Sequence, residues 1–231
     1  MKKRVIALSF VGLVVLVAFL YFAIPRVSVT GTGTITAYPD EADILFSVRT
    51  QNSSAAYAAA ENGVLMTKVY ESLAALGVNK SEIRTTSYSL LPIYDSYNYS
   101  NLTGYVAVNS VEVIVTGIED LPNVGKIIDA VVRAGVNQVD GIQFTFADLN
   151  YNSLRSQAFH KAVQDANLQA SAIVSGLGGI IIGVASVSTN YGFLPQPILV
   201  NEGMTVSRES TPVNPGLQQV TATVNITYLY I

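Results

Sequence analysis

The feature that most constrains this chain is an uncharged run of 20 residues near its start, at positions 5–24. A helix rises about 1.5 Å per residue, so the run spans ~30 Å, the thickness of a bilayer's hydrocarbon core. Three basic residues at positions 2–4 precede it, and positive charge marks the cytoplasmic end of such helices. The sequence predicts a single-pass signal-anchor in residues 1–26. The N-terminus then lies in the cytoplasm and residues 27–231 lie beyond the cell membrane.

A cleaved signal peptide is the competing interpretation of the same run. Cleaved signals have apolar stretches of about 7–15 residues that end in small residues at the cut. The run here is longer, and Ala23-Ile24-Pro25-Arg26 lacks an Ala-x-Ala site. The pattern therefore favours a retained anchor that binds the membrane through residues 5–24. Both interpretations export the remainder of the chain.

The exported part is acidic and contains no cysteine. After residue 26 the chain has nine basic and sixteen acidic residues, a net charge of −7. Such a domain repels phosphate backbones, so a nucleic-acid partner is not expected. The absence of cysteine excludes disulfides, thiolate metal sites and thiol nucleophiles. Stability must then come from packing, and an apolar fraction of 50% supplies enough side chains for a core.

Period-two patterns open and close the exported part. At 27–36, Val, Gly and Ile alternate with Ser and Thr, and at 220–231 apolar residues alternate with polar ones almost throughout. This alternation is typical of strands with one buried face. Gly31 and Gly33 inside the first strand indicate a bulge or the close approach of another backbone. Further strands are predicted at 44–49, 83–94, 105–116, 139–146 and 184–190.

Three helices are predicted between these strands, at 53–76, 121–134 and 153–176. Their expected inward residues are Leu65, Val69, Leu73 and Leu76; Val124, Ile127, Ile128 and Val131; and Ala158, Ala162, Ala166 and Ala170. Strands arrive in pairs between helices, which favours an α+β fold with mostly antiparallel sheet and about three helices packed on it. No long linker divides residues 27–231, so a single domain is expected there. The proline-rich stretch 193–216 is expected to be a surface loop.

The chemistry-bearing residues are sparse. His160 is the sole histidine, so a histidine metal cluster is excluded and a catalytic triad would depend on this one residue. It is more simply a polar-face residue of the third helix. The acids at 40–43 are expected to be a solvated turn, and Arg84 and Glu112 are expected to face each other across strands. We therefore expect no catalytic, metal or cofactor site, and no enzyme.

Five N-x-Ser/Thr sequons are candidate glycosylation sites if the exported chain meets a glycosyltransferase. They begin at Asn52, Asn79, Asn98, Asn101 and Asn225. The excess over chance is small.

Tyrosines cluster around a predicted hairpin tip at 95–104. The candidate contact residues are Tyr94, Tyr97, Tyr99 and Tyr105, with Tyr88 nearby. Tyrosine offers rigid, amphipathic contact area for a protein or glycan. The alternative is that these rings shield their own sheet.

The order of these motifs resembles the SIMPL-domain family of exported bacterial and archaeal proteins. The motifs are VSVTGTGTITAYPDEADI (27–44), LAALGVNKSEIRTTSYSLLPIY (73–94), GYVAVNSVEVIV (104–115), AGVNQVDGIQF (134–144), the alanine-ridged helix, and TPVNPGLQQVTATVNITY (211–228). The resemblance covers essentially all of 27–231. It implies an extracytoplasmic α+β domain that often forms oligomers, and it carries over no catalytic residue.

Three functions remain open from the sequence. The leading hypothesis is a non-catalytic, membrane-anchored cell-envelope protein that forms a homo-oligomer or binds other envelope proteins. Its expected contact regions are the tyrosine-rich tip and the loop at 193–216. The second is a monomeric binding module for an envelope glycan or peptide. The third is a hydrolase that uses paired carboxylates.

Overall fold

The computed structural model describes residues 24–95, 101–117, 121–189, 196–197 and 211–231. This part of the chain forms two compact units. The terminal unit comprises the described residues up to Thr36, those of Asn152–Gln196, and Gln219–Ile231. The central unit comprises those of Ala37–Tyr151 and Pro197–Gln218. Because the stretches of the two units interleave along the chain, no linker in the sequence marks their boundary.

The central unit contains a four-stranded antiparallel sheet in the order β3–β4–β2–β5. The strands are β2 (Glu41–Asn52), β3 (Ile83–Tyr94), β4 (Leu102–Thr116) and β5 (Gln138–Thr145). Ile44 lies opposite Val113 on one side and Ile142 on the other. Alternate residues of β2 and β4 thus meet on one face, which is buried.

Two helices pack within this unit, α1 (Ala55–Ala75) and α2 (Val124–Ala134). A 3₁₀ turn at Leu121–Asn123 precedes α2. The four inward residues predicted for α2 are all buried, and Gly135 ends the helix with φ 126°. The core cluster they join includes Ile44, Phe46, Val48, Met66, Val69, Leu73, Val111, Val113, Val124 and Val131.

The predicted apolar stripe of α1 is partly wrong. Val69 and Leu73 are fully buried, but Leu76 is 46% exposed and Leu65 is half-buried. The helix ends at Ala75, and Gly77 follows with φ 85°, so Leu76 lies in the helix cap and turns away from the core. The core-facing positions are filled by Ala58, Asn62 and Met66.

The terminal unit contains a second sheet in the order β1–β8–β6 and the long helix α3. Its strands are β1 (Arg26–Ala37), β6 (Ile181–Thr189) and β8 (Gln218–Tyr230), with the two-residue β7 (Gln196–Pro197) also paired to β8. Helix α3 spans Asp148–Gly176. Five alternate apolar residues of β8 are buried, namely Val220, Ala222, Val224, Ile226 and Tyr228.

The glycines of β1 face the alanine ridge of α3. A Cβ placed on Gly31 would lie 2.0 Å from the carbonyl oxygen of Ala162, and one on Gly33 would lie 2.0 Å from that of Ala158. All four ridge alanines are fully buried. The expected close approach of another backbone to the first strand is confirmed, and the backbone is that of α3.

Three side chains of α3 close the free edge of β1. Asp165 Oδ2 accepts the Thr32 backbone N–H at 2.9 Å. Gln169 Nε2 donates to the Thr30 carbonyl at 3.1 Å, and Lys161 Nζ donates to the Thr34 carbonyl at 3.1 Å. Groups that a neighbouring strand would otherwise pair are thus satisfied within the unit.

The α+β class, the antiparallel pairing and the three α-helices are confirmed for the described residues. The strands form two sheets, a number that the sequence patterns did not specify. Alternation identifies the buried face of a strand but not its partner. None of the helices in the described residues is long and apolar enough to cross a membrane. The predicted anchor at 5–24 lies outside those residues, apart from Ile24.

Candidate contact surface

Several large apolar side chains of the central unit are exposed together on β3. Each of its twelve residues is exposed or half-buried, whereas β4 beside it has six buried residues. Tyr88 is 53% exposed, Leu91 55% and Tyr94 48%. Within the described residues, β3 pairs with β4 and forms one edge of the sheet. An edge strand carrying large apolar side chains on both faces is a typical contact surface.

The predicted contact tyrosines are distributed around this hairpin. Tyr94 ends β3 and is exposed, and Tyr105 lies in β4 opposite Pro92, half-buried. Tyr97 and Tyr99 lie outside the described residues. Sequence reasoning missed Leu90 and Leu91, which are 38% and 55% exposed. The sequence contained a signal for an exposed edge here: the two leucines are followed by Pro92, and proline within a sheet is tolerated at edge strands.

Four of the five sequon asparagines lie in the described residues, and Asn98 does not. Asn52 Oδ1 accepts the Ser54 N–H at 3.2 Å at the start of α1. Asn79 Nδ2 lies 3.3 Å from Glu82 Oε1. Asn101 is exposed, and Asn225 Oδ1 accepts the Thr30 hydroxyl at 2.6 Å on the exposed face of the terminal sheet. Asn52 and Asn79 therefore have local structural roles.

The acidic residues at the predicted turn are tied into the fold. Asp40 Oδ1 accepts the Ala147 N–H at 2.9 Å, just before α3 begins. Burial raises the pKa of Glu41, and the neighbouring Asp43 carboxylate raises it further. Burial also raises the pKa of Asp43, with added repulsion from Glu112. No group of three or more potential metal ligands of the His, Cys, Asp and Glu types occurs among the described residues.

Arg84 and Glu112 face each other across β3 and β4, as expected. Arg84 Nη2 lies 2.6 Å and Nε 2.8 Å from Glu112 Oε2. The guanidinium thus pairs with the Glu112 carboxylate, one of the charges that raise the pKa of Asp43. His160 is exposed on α3, as expected of a polar-face residue.

A small polar cluster on β2, β4 and β5 escaped sequence reasoning. Ser47, which is 2% exposed, donates to Asp140 Oδ2 at 2.6 Å and lies 3.0 Å from Ser110 Oγ. Gln138 Nε2 donates to the other oxygen of Asp140 at 2.6 Å. The register shifts beside Asp140, where β5 is bulged against Leu45 and Phe46. The Asp140 carboxylate and the Ser110 hydroxyl thus supply hydrogen-bond partners for the buried hydroxyl of Ser47.

A groove of about 550 Å³ runs between α1 and the start of β3. Thr67, Tyr70 and Ala74 form its helix wall, and Val78, Ile83 and Thr85 form the opposite side. Glu71 and Lys80 are its charged residues. The volume falls within the range of ligand sites.

Comparison with known proteins assigns the chain to a family but not to an activity. The SIMPL family, described as "Protein of unknown function (DUF541)", matches residues 27–228. The chain is 30% identical over 216 residues to the 26 kDa periplasmic immunogenic protein of Brucella melitensis, covering 88% of this chain and 84% of that protein. It is 26% identical over 176 residues to the uncharacterized protein YggE of Edwardsiella ictaluri, covering 75% and 72%.

The protein YggE of Escherichia coli strain K12 gives a similar result, 25% identity over 177 residues, covering 76% of this chain and 70% of that protein. The family match spans nearly all of residues 27–231, and it includes every helix and strand described above except for Arg26 of β1 and the last two residues of β8. On both the family match and the coverage of its relatives, the chain belongs to the SIMPL family.

Proposed function

We propose that this SIMPL protein is a non-catalytic component of the cell envelope, anchored through residues 5–24, that self-associates or binds other surface proteins. The apolar edge formed by β3 carries the proposal, since Tyr88, Leu91 and Tyr94 are each about half exposed. The name of the Brucella relative places that protein in the periplasm, which supports placement of residues 27–231 beyond the membrane. The contact surface comprises the β3–β4 hairpin with Tyr94, Tyr97, Tyr99 and Tyr105.

Light scattering on the detergent-solubilised full chain tests the association. The wild type is expected to run as an oligomer, and Leu91→Lys is expected to lower its mass toward a monomer, because a charge on the edge opposes strand-to-strand contact. Leu149→Lys is the matched control, since Leu149 is 88% exposed and lies at the start of α3. A wild-type monomer that crosslinks to no envelope protein in intact cells would contradict the proposal.

Glycosylation at Asn52, Asn79, Asn98, Asn101 and Asn225 is proposed as a separate property of the exported segment. Among the described sequons, Asn101 is the favoured acceptor, because it is exposed at the hairpin. Intact-mass measurement of the protein from its own cells tests this. A mass equal to that of the bare polypeptide would refute it.

The second candidate function is a binding module for an envelope peptide or glycan. The groove between α1 and β3 favours it, because its helix wall and its strand wall both present apolar groups. Association through the hairpin does not require this groove.

A further inference from the structure

The two described sheets differ in whether the backbone groups of an edge strand have hydrogen-bond partners. In the terminal unit the edge of β1 is closed by Asp165, Gln169 and Lys161 of α3. In the central unit β3 has β4 as its one strand partner within the described residues. Among the described strands, none pairs with the backbone N–H and C=O groups of β3 that point away from β4. A row of such groups is recognised best by another extended backbone.

The groove gives that edge side-chain pockets. Thr67, Tyr70 and Ala74 are spaced by three and four residues, so they share one face of α1. Ile83 and Thr85 are two residues apart and share one face of β3. A strand added to β3 would direct every second side chain into the space between these walls. The pairing of backbone and the burial of alternate side chains are the two parts of recognition by strand addition.

Size argues against a second copy of this chain as the occupant of the groove. A stable dimer buries about 1,200–2,000 Å² and uses roughly 20–30 residues on each side. The groove has eight lining residues. A few alternate side chains of one extended segment match it better.

Antiparallel pairing gives the direction of the segment, and two charged residues of the groove indicate which charges it should carry. Lys80 lies between the end of α1 and the start of β3. Glu71 lies within α1, farther from this connection. The central sheet is antiparallel throughout, and antiparallel pairing is the more stable kind per residue. A segment antiparallel to β3 reaches Lys80 with its C-terminal end. An acidic residue there, and a basic residue upstream beside Glu71, would complement both charges.

We propose that the groove between α1 and β3 binds an extended peptide segment of another protein by strand addition. The segment runs antiparallel to β3, places alternate apolar side chains between Tyr70, Ala74 and Ile83, and sets an acidic residue beside Lys80. This site uses the start of β3, whereas the proposed association is tested at Leu91, near the end of that strand and the hairpin.

Selection of random twelve-residue peptides on the purified full-length protein in detergent micelles tests the site. Enriched peptides are expected to alternate apolar and polar residues and to carry an acid near the C-terminal end. A synthetic enriched peptide should protect the amides of 83–88 from hydrogen exchange. Failure to enrich any peptide, or protection confined to other segments, would overturn the proposal.

Variants decide whether the groove itself is used. Ala74→Arg fills the helix wall and should weaken the synthetic peptide at least tenfold, whereas Ala60→Arg, on an exposed position of α1 outside the groove, should leave it unchanged. Thr67→Arg is the second groove variant if Ala74→Arg loses its wild-type circular dichroism. Lys80→Glu should weaken the peptide tenfold and restore binding to its acid-to-lysine analogue.

Two results separate this site from the proposed association. Leu91→Lys should leave peptide affinity unchanged even if it dissociates an oligomer. If the Ala74→Arg and Ala60→Arg variants bind the peptide with equal affinity, the proposal that the groove binds it is refuted, whatever the oligomeric state. If the wild type is a dimer that Ala74→Arg dissociates, and if it does not bind the peptide, a second copy occupies the groove and the proposal is overturned.

Discussion

Gly31 and Gly33 set the distance between β1 and α3. Their missing side chains let the helix backbone come so close that a Cβ on either would lie 2.0 Å from a carbonyl oxygen. The facing alanines at positions 158 and 162 are small for the same reason. Two small-residue patterns far apart in the sequence thus form one contact, and neither can change without the other.

Gly31→Ala is therefore expected to lower the free energy of unfolding by about 3 kcal/mol or more, because the clash is with backbone that cannot rotate away. Gly183→Ala in β6 is the control, since nothing lies within 4 Å of its Cβ position. Urea denaturation followed by circular dichroism measures both. Equal stabilities of the two variants would contradict the close contact.

Asp43 is a residue whose charge opposes folding. Burial and the Glu112 carboxylate raise its pKa above the usual 3.8. A carboxyl group with a raised folded pKa costs stability where it is ionised, and this cost disappears as pH falls through the folded pKa toward the unfolded value. Asp43→Asn should stabilise the protein at pH 7 by less than about 1 kcal/mol, because solvent screens the partly exposed group. Thermal unfolding at pH 7 and pH 3 checks this; an advantage that persists at pH 3 would point to another cause.

The edges of the sheets are the main feature at the scale of elements. The backbone of β1 is closed by α3, while β3 remains open within the described residues and carries exposed leucines and tyrosines. The difference directs strand-to-strand contact toward the central unit. It also gives α3 a protective role in addition to its packing role.

Asp165→Ala combined with Gln169→Ala should open the β1 edge and increase aggregation on incubation at neutral pH. Gln164→Ala is the control, since Gln164 is exposed on α3 and makes no hydrogen bond to β1 within the described residues. The Thr32 N–H and then Gln169 lower the pKa of Asp165. Its contribution is therefore present above the ordinary value of 3.8 and is lost as pH falls through the lowered folded pKa. Turbidity and light scattering measure the outcome, and equal aggregation of mutant and control would refute edge protection.

The elements differ in how far their sequence could reveal them. The strand predicted at 83–94 has those bounds, and the one at 27–36 is extended by one residue at each end, because alternation and turn residues are local signals. Pairing of β1 with β8 is not local: Ser28 and Thr227, whose hydroxyls lie 2.9 Å apart, are 199 residues apart in sequence. No sequence pattern indicated that Asn62 is buried, although it is 1% exposed and donates to the Val48 carbonyl at 2.8 Å. The apolar edge at Leu91 needed knowledge of which strand lies outermost.

At the scale of the whole molecule, each unit has its own core. Ile44 is fully buried in the central unit, and Val224 is 1% exposed in the terminal unit. Stability then need not be uniform along the chain, because cooperative units can open separately. Residues 27–231 carry no domain boundary that can be read from the sequence, because the stretches of the two units interleave along the chain.

Val224→Asp should open the terminal unit, because an unpaired buried charge costs several kcal/mol. Hydrogen exchange should then accelerate in α3 and β1 while β2 and β4 stay protected. Ile44→Asp is the reciprocal variant, with the opposite pattern expected. Loss of protection throughout the chain in both variants would show that the units unfold together.

The interleaving of the two units has a consequence for biosynthesis. The first strand leaves the ribosome 199 residues before the partner of Ser28, a delay of roughly 10–40 s at the usual 5–20 residues per second. During that interval the continuous stretch that supplies β2–β5 can complete its hydrogen bonds, but β1 has no adjacent strand. The final strand therefore acts as a closing step, and nascent chains released before it should be selectively degraded.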